Sequence, residues 1–332
     1  MTRLSFLDLV PVREGGTVAQ AFAQAADLAA HAEALGFRRY WVAEHHGMAG
    51  IASAATAVVI AHIGHATSTI RIGAGGIMLP NHAPLVVAEQ FGTLDALFPG
   101  RVDLGLGRAP GSDQRVARAL RRTLESDPNG FPRDVMELQS YFADDGATGI
   151  RATPGAGARP EMWILGSSTF GAQLAAALGL PFAFASHFAP DALDMALHLF
   201  RRDFRPSATL ERPYCMSGFN VFAAPTDAEG EYLSSSQQQA FVALRTGNPR
   251  QLPPPVEGYR ESLGTQGAAM LDHVLRCSAV GSPATVARGL AAFIERTGVD
   301  EVMVASAVYD HDLRKRSLTI TAEAVRDVKV AA

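Results

Sequence analysis

The sequence predicts an α/β protein of the (β/α)8 TIM-barrel class, with loop insertions after strands four and seven. Three observations carry that prediction. Short apolar runs of strand type alternate with amphipathic helical stretches along the chain, which is the pattern of βαβ units and a parallel sheet. Eight such strands can be counted. The residues just after them are repeatedly Gly, Ser, His, Asn or Arg, the small and polar types that line the C-terminal mouth of a parallel barrel. The rival arrangement is an open doubly wound sheet with a small second domain. It is disfavoured because the composition does not change near the middle of the chain.

The elements follow in order. Leu4 to Val10 is an apolar run closed by Pro11, the first strand. Thr17 to Leu35 is a helix, with Thr17 as cap, Ala21, Leu28, Ala32 and Leu35 at helical spacing, and Gly36 as its end. Arg38 to Ala43 is strand two and runs into Glu44-His45-His46. Ser53 to Ala66 is a helix with Ser53 as candidate cap, Ile70 to Met78 is strand three, and Pro84 to Leu97 is a helix opening on proline. Strand four alternates Val102, Leu104 and Leu106 with Asp103, Gly105 and Gly107. Helices are expected over 115–123 and 132–142. The rhythm resumes with strands at 161–165 and 181–185, each followed by a helix, and strand seven at 214–223. Thr226 starts a capped helix. The polar, Pro-rich stretch 248–267 is long for a loop and is expected to be a mobile lid within a single domain spanning 1–332. A helix opens at Ser282-Pro283, strand eight is Glu301 to Ala307, and a helix over 313–328 closes the chain.

The chain has 332 residues, and its excess over roughly 250 falls in those loops. A hydrophobic content of 48% can fill a full core, and a net charge of −4 without a basic run speaks against nucleic acid. Cys215 and Cys277 offer neither metal spacing nor a disulfide framework and read as buried thiols. No signal pattern and no apolar run long enough to span a bilayer is visible, so a cytoplasmic protein without a membrane partner is expected.

The strand ends supply the candidate site. They are Asp8; Glu44, His45 and His46; Gly75 and Gly76; Gly107, Arg108 and Pro110; Gly166, Ser167 and Ser168; Ser186, His187 and Phe188; Asn220 and Phe222; Ser306 and Tyr309. Arg108 beside glycines at a strand end, with Ser167 and Ser168 running into a helix start, reads as a joint phosphate site. Gly75-Gly76 leaves a face bare against which a flat ring could lie. Adjacent His45 and His46 point to opposite faces, so they cannot share a metal ion, and none is expected. One of the two serves as proton donor or base. Phe6, Phe188 and Phe222 are candidate apolar walls. Gly105-Leu106-Gly107 fails the dinucleotide fingerprint, because the next glycine is Gly111.

The chain also resembles the bacterial luciferase-like flavin monooxygenases, in their single-chain oxidoreductase subgroup. The resemblance rests on LDLVPV at Leu7, VAEHH at Val42, GAGGIMLPNHAPL at Gly73, AEQF at Ala88, LFPGRVDLGLGRAPG at Leu97, LGSS at Leu165, LGLPFAFASHF at Leu178, VGSPATV at Val280 and DEVMVAS at Asp300. It implies a (β/α)8 barrel that takes reduced FMN from a separate reductase and uses O2, through a flavin peroxide, to oxidise a small organic substrate. It also implies FMN phosphate at Arg108, Ser167, Ser168 and Gly171, with Gly107 alongside, and the isoalloxazine on Gly75 and Gly76, where the family commonly has a non-proline cis peptide. His45 is implied as catalytic, and a homodimer through the helices at 53–66 and 84–97. Luciferases proper carry a reactive cysteine where this chain has Gly107, so light emission is not implied. Two other readings stay open: a deazaflavin-dependent dehydrogenase of the same superfamily, and a flavin-binding protein without catalysis.

Overall fold

A computed structural model describes residues 2–108, 116, 119–120 and 130–326. The strands are β1 (Arg3–Asp8), β2 (Arg39–Val42), β3 (Arg71–Met78), β4 (Val102–Gly107), β5 (Glu161–Gly166), β6 (Phe182–Phe184), β7 (Cys215–Ala223), β8 (Ser278–Gly281) and β9 (Glu301–Ala305). All pairings among them are parallel, and eight of them close a ring in the order β1-β2-β3-β4-β5-β6-β7-β9. The fold is therefore a (β/α)8 barrel.

The eighth barrel strand is β9. β8 was not anticipated. It pairs with the last four residues of β7 while β9 takes the first part, so it lies outside the ring. Its four residues, SAVG, carry no periodicity that could separate them from the helix start that follows.

Helices α1 (Val18–Ala34), α2 (Thr56–His65), α3 (Pro84–Leu97), α4 (Phe131–Ala143), α5 (Thr169–Leu178), α6 (Leu193–Asp203), α7 (Asp227–Arg245), α8 (Tyr259–Ser262), α9 (Gly264–Val274), α10 (Pro283–Thr297) and α11 (His311–Arg326) complete the described chain. Thr17 forms a reciprocal capping box with Gln20, and the Thr226 hydroxyl accepts from the Glu229 N–H. Ser53 is not a cap. α2 begins three residues later, and the Ser53 hydroxyl instead donates to the carbonyls of Ala43 and Leu9, tying together the loops after β1 and β2. Most of the helix expected at 115–123, and the insertion after β4, lie outside the described residues.

Side-chain alternation divides the core into two layers. Phe6, Tyr40, Val42, Leu104 and Ile164 face the helices. Leu7, Trp41, Trp163, Ala183, Met216 and Met303 fill the barrel interior, with the two indoles edge-on at 5.4 Å. Below them, at the N-terminal end, lies a buried ionic floor. Arg39 donates to Glu301 and Asp103 and pairs with Glu161, while Arg71 holds the other oxygen of Asp103.

The segment after α7 runs back to the loop after β1 and along α7 itself. Leu252 donates to the Val12 carbonyl at 2.9 Å and accepts from the Glu14 N–H at 2.8 Å. Gln239 donates to Pro254, and the Ser235 hydroxyl accepts from Val256. The second half of the expected lid is helical, in α8 and the start of α9. Among the described residues no helix is long and apolar enough to cross a membrane.

Candidate functional site

The C-terminal mouth opens over the end of β3. The peptide between Gly75 and Gly76 is cis. A Cβ on Gly75 would come within 2.8 Å of Trp41 and 2.9 Å of Leu7, and one on Gly76 within 2.5 Å of the Gly105 carbonyl. Neither position has room for a side chain, so the wall here is bare backbone. Gly107 differs: the nearest atom to an added Cβ is 3.7 Å away, and a side chain would fit.

Next to this wall is an anion-seeking corner. Arg108, at the end of β4, stacks its guanidinium 4.2 Å from the Phe170 ring centre. Phe170 is in the first turn of α5, so the stack holds the charge at a helix N-terminus, where N–H groups lack partners. Ser168 is the N-cap residue of α5, yet its hydroxyl makes no cap bond and bonds to no described residue, with Ser167 exposed beside it. A Cβ on Gly171 would touch Gly166 Cα, the Leu165 carbonyl and the Phe182 ring at 3.4 Å each. Pro110 lies outside the described residues.

His45 and His46 part company. The carboxylate of Glu44 is buried, with Oε1 accepting from His46 Nε2 at 2.6 Å and His82 Nε2 at 2.8 Å, and Oε2 accepting from the Met78 N–H at 2.9 Å. Burial alone would raise the Glu44 pKa. The donors from His82, His46 and Met78 outweigh it and hold the group below its ordinary value. One carboxylate and two imidazoles, with ligand atoms all within 4.8 Å of one another, are metal-binding types. As placed, however, the contacts are hydrogen bonds, shorter than the ~3.3 Å between two ligands of a tetrahedral zinc with bonds near 2.0–2.1 Å. His82 was not singled out from the sequence: it lies 38 residues from Glu44, on the short turn before α3.

His45 makes no hydrogen bond to a described residue, and its Nδ1 is buried without a partner. Burial lowers its pKa, Glu44 opposes, and His46 adds to the lowering. His187 is the second such ring. Its Nδ1 is also buried and unpartnered, and burial, helped by His45, pushes its pKa down to about 4. The mouth thus combines bare backbone, an anion corner and two neutral imidazoles.

Several strand-end candidates go elsewhere. Asp8 faces the helices, where it accepts from Arg314 at 2.7 Å and from the Tyr40 hydroxyl. The Tyr309 hydroxyl donates to the Glu14 carbonyl, and its ring lies under Arg13. Phe6 packs outward against Tyr40, and Phe222 sits in a cluster with Leu233 and Val308, so neither walls the mouth. Phe188 remains exposed beside His187. Asn220 stays with the site by donating to the His187 carbonyl at 2.6 Å.

Comparison with known proteins places this arrangement. The sequence pattern described as luciferase-like monooxygenase matches residues 2–301. A luciferase-like monooxygenase of Escherichia coli (strain K12) is 51% identical over 326 residues, covering 98% of this chain and 96% of that protein. Among solved structures, apo-MsnO8 superposes with a TM-score of 0.88 at 33% identity, over 100% of both chains. The oxygenating constituent of 3,6-diketocamphane monooxygenase from Pseudomonas putida, solved in complex with FMN, gives 0.75 at 17% identity over 100% and 99%. At that identity it shows a shared fold.

Proposed function

Given that the chain belongs to the luciferase-like monooxygenase family of oxidoreductases, we propose that it uses reduced FMN and O2 to oxidise a small organic substrate at the barrel mouth. The observation that carries the reading is a succession along neighbouring strands: bare backbone at the end of β3, the stacked Arg108 after β4, and the free helix start after β5. A flat ring bearing a phosphate tail needs those features in that order. The chemistry that reduced FMN supplies when bound is the two-electron activation of O2. The protein's share is binding and control. Arg108, Ser167, Ser168 and the N–H groups near Gly171 hold the phosphate, with Gly107 leaving space beside them. Gly75 and Gly76 let the ring approach. His45 holds or moves a proton at Nε2, the ring nitrogen that is not buried. The chain carries no dinucleotide fingerprint, which supports reduced FMN arriving from a separate reductase by diffusion.

The phosphate corner is testable by affinity. Removing both Arg108 and Ser168 (Arg108→Ala with Ser168→Ala) should weaken FMN binding about 100-fold. The reason is that charge-assisted hydrogen bonds contribute roughly 1.5–3 kcal/mol and each 1.4 kcal/mol is tenfold. Fluorescence titration showing wild-type affinity in the double variant would remove this corner from the cofactor site.

We also propose a homodimer through α2 and α3. Val58 on α2 is 70% exposed, and Val86 and Leu97 on α3 are 43% and 53% exposed. Val58→Glu combined with Val86→Glu should shift the protein to monomer in sedimentation velocity. A dimer of unchanged stability would place the interface elsewhere.

A further inference from the structure

We propose that His187 is a substrate-binding residue of the mouth, a neutral imidazole that presents Nε2–H, beside His45, to an acceptor oxygen of the bound substrate. The proposal rests on the reading of the mouth as the oxidation site. It assigns a residue that neither the cofactor corner nor the Glu44 cluster uses.

The ring is held by packing and by the bonds of its backbone, not by bonds of its own nitrogens to described residues. It packs on Gly218 of β7, where an added Cβ would lie 2.1 Å from Nδ1 and 2.9 Å from Cγ, so only glycine admits it. Its carbonyl is clamped by Asn220 Nδ2 at 2.6 Å, and Asn220 Oδ1 accepts from Gln237 Nε2 of α7 at 2.9 Å. The preceding Ser186 hydroxyl donates to the Gly218 carbonyl at 2.6 Å. The hydrogen bonds of three polar side chains therefore fix the segment that carries a ring whose own nitrogens bond to no described residue.

The tautomer follows from burial. Nδ1 is pressed against Gly218 with no partner. A buried N–H without an acceptor is rarer in proteins than an under-used lone pair. Nδ1 is therefore the bare nitrogen, and Nε2, which is not buried, carries the proton. Among the described residues, His45 is the ionisable group whose charge acts on the ring, and like burial it disfavours the imidazolium. At neutral pH His187 is therefore a fixed donor without charge. A carbonyl, ether, hydroxyl or carboxylate oxygen gains from such a donor, and a plain hydrocarbon does not.

The test uses the full-length protein, with and without FMN. In two-bond proton–nitrogen spectra of histidine-labelled protein, the His187 ring should show a protonated Nε2 and a bare Nδ1, and it should not titrate between pH 5.5 and 8 (roughly one unit or more above its lowered pKa). Acetone and acetate, which offer acceptor oxygens, should move the Nε2–H signal. His187→Phe should weaken probe binding about three- to tenfold, as loss of one hydrogen bond of 0.5–1.5 kcal/mol implies, and His187→Gln should restore most of it. Gly218→Ala, which displaces the ring, should behave like His187→Phe. An Nδ1–H tautomer, titration at the ordinary histidine value, or a glutamine variant no better than phenylalanine would each overturn the proposal. FMN titration of the wild type reads the cofactor assignment separately. Protein that binds the probes through His187 but never binds FMN would overturn the flavin reading and leave His187 in place.

Discussion

Arg39→Ala should cost about 3–5 kcal/mol of stability, the range seen when one partner of a buried ion pair is removed, and should be the most damaging single polar truncation in the barrel. The Arg39 side chain is 1% exposed, and those of Asp103 and Glu301 are 0% exposed. Burial works against the Arg39 charge, yet Asp103, Glu301 and Glu161 together hold its pKa above the ordinary value. Asp103 shows the opposite balance: burial raises its pKa although Arg39 and Arg71 oppose. Among the described residues, truncating Arg39 leaves Asp103 with Arg71 as its one cation, beside the Trp41 indole N–H, and leaves Glu301 with Tyr214, Ser5 and the distant Arg38. The urea midpoint should fall accordingly. Arg202→Ala is the control: its pairing with Asp203 is on the surface and should leave the midpoint unchanged. A midpoint for Arg39→Ala equal to that of the control would show that the floor does not hold the barrel together. The damage should also reach the mouth. Trp41 Nε1 donates to Asp103 at 2.8 Å, and the same indole backs Gly75. Disturbing the floor therefore disturbs the bare wall above it.

This floor shows what was legible in the sequence and what was not. The eight barrel strands, the capped starts of α1 and α7 and the strand-end position of Arg108 are local properties, readable from period, caps and turn residues. The floor depends on register. Arg39 stands beside Arg71, and Asp103 beside Glu161, in neighbouring strands. A signal existed: β2, β3, β5 and β9 each begin on a charged residue, and β4 carries Asp103 at its second position. In sequence alone that signal does not point inward, because charges are rarely buried unpaired. Only closure of the barrel shows that they meet inside. Asp8 failed for a related reason. It ends β1, where a mouth residue is expected, but it is of the parity that faces the helices, and its partner Arg314 is 306 residues away. His82 was likewise invisible, since nothing near it in sequence indicates that it joins the loop after β2 at Glu44.

His45→Gln should lower product formation by about 10²–10⁴, the usual contribution of a positioned acid or base, while leaving stability and FMN affinity at wild-type levels. The separation follows from how the residue is held. Its ring nitrogens bond to no described residue, so truncation removes no internal hydrogen bond. Its position is set instead by its neighbours in the chain. Glu44 is fixed by three donors, and His46 is one of them. The backbone of His45 is thus pinned on both sides while the ring itself remains free to act. Glu44→Gln tests that account from the other side, because it keeps His45 and loosens its mounting. It should reduce turnover less than His45→Gln does and should lower stability more, since a buried acceptor of three N–H donors is weakened. The pH profile adds a sign. The lowered pKa of His45 keeps the ring neutral at pH 7, so loss of activity on acidification should begin below the ordinary histidine value rather than at it. If His45→Gln turned over product as fast as the wild type, the proton would have to be managed by another group at the mouth, and His187 is the other neutral imidazole placed there.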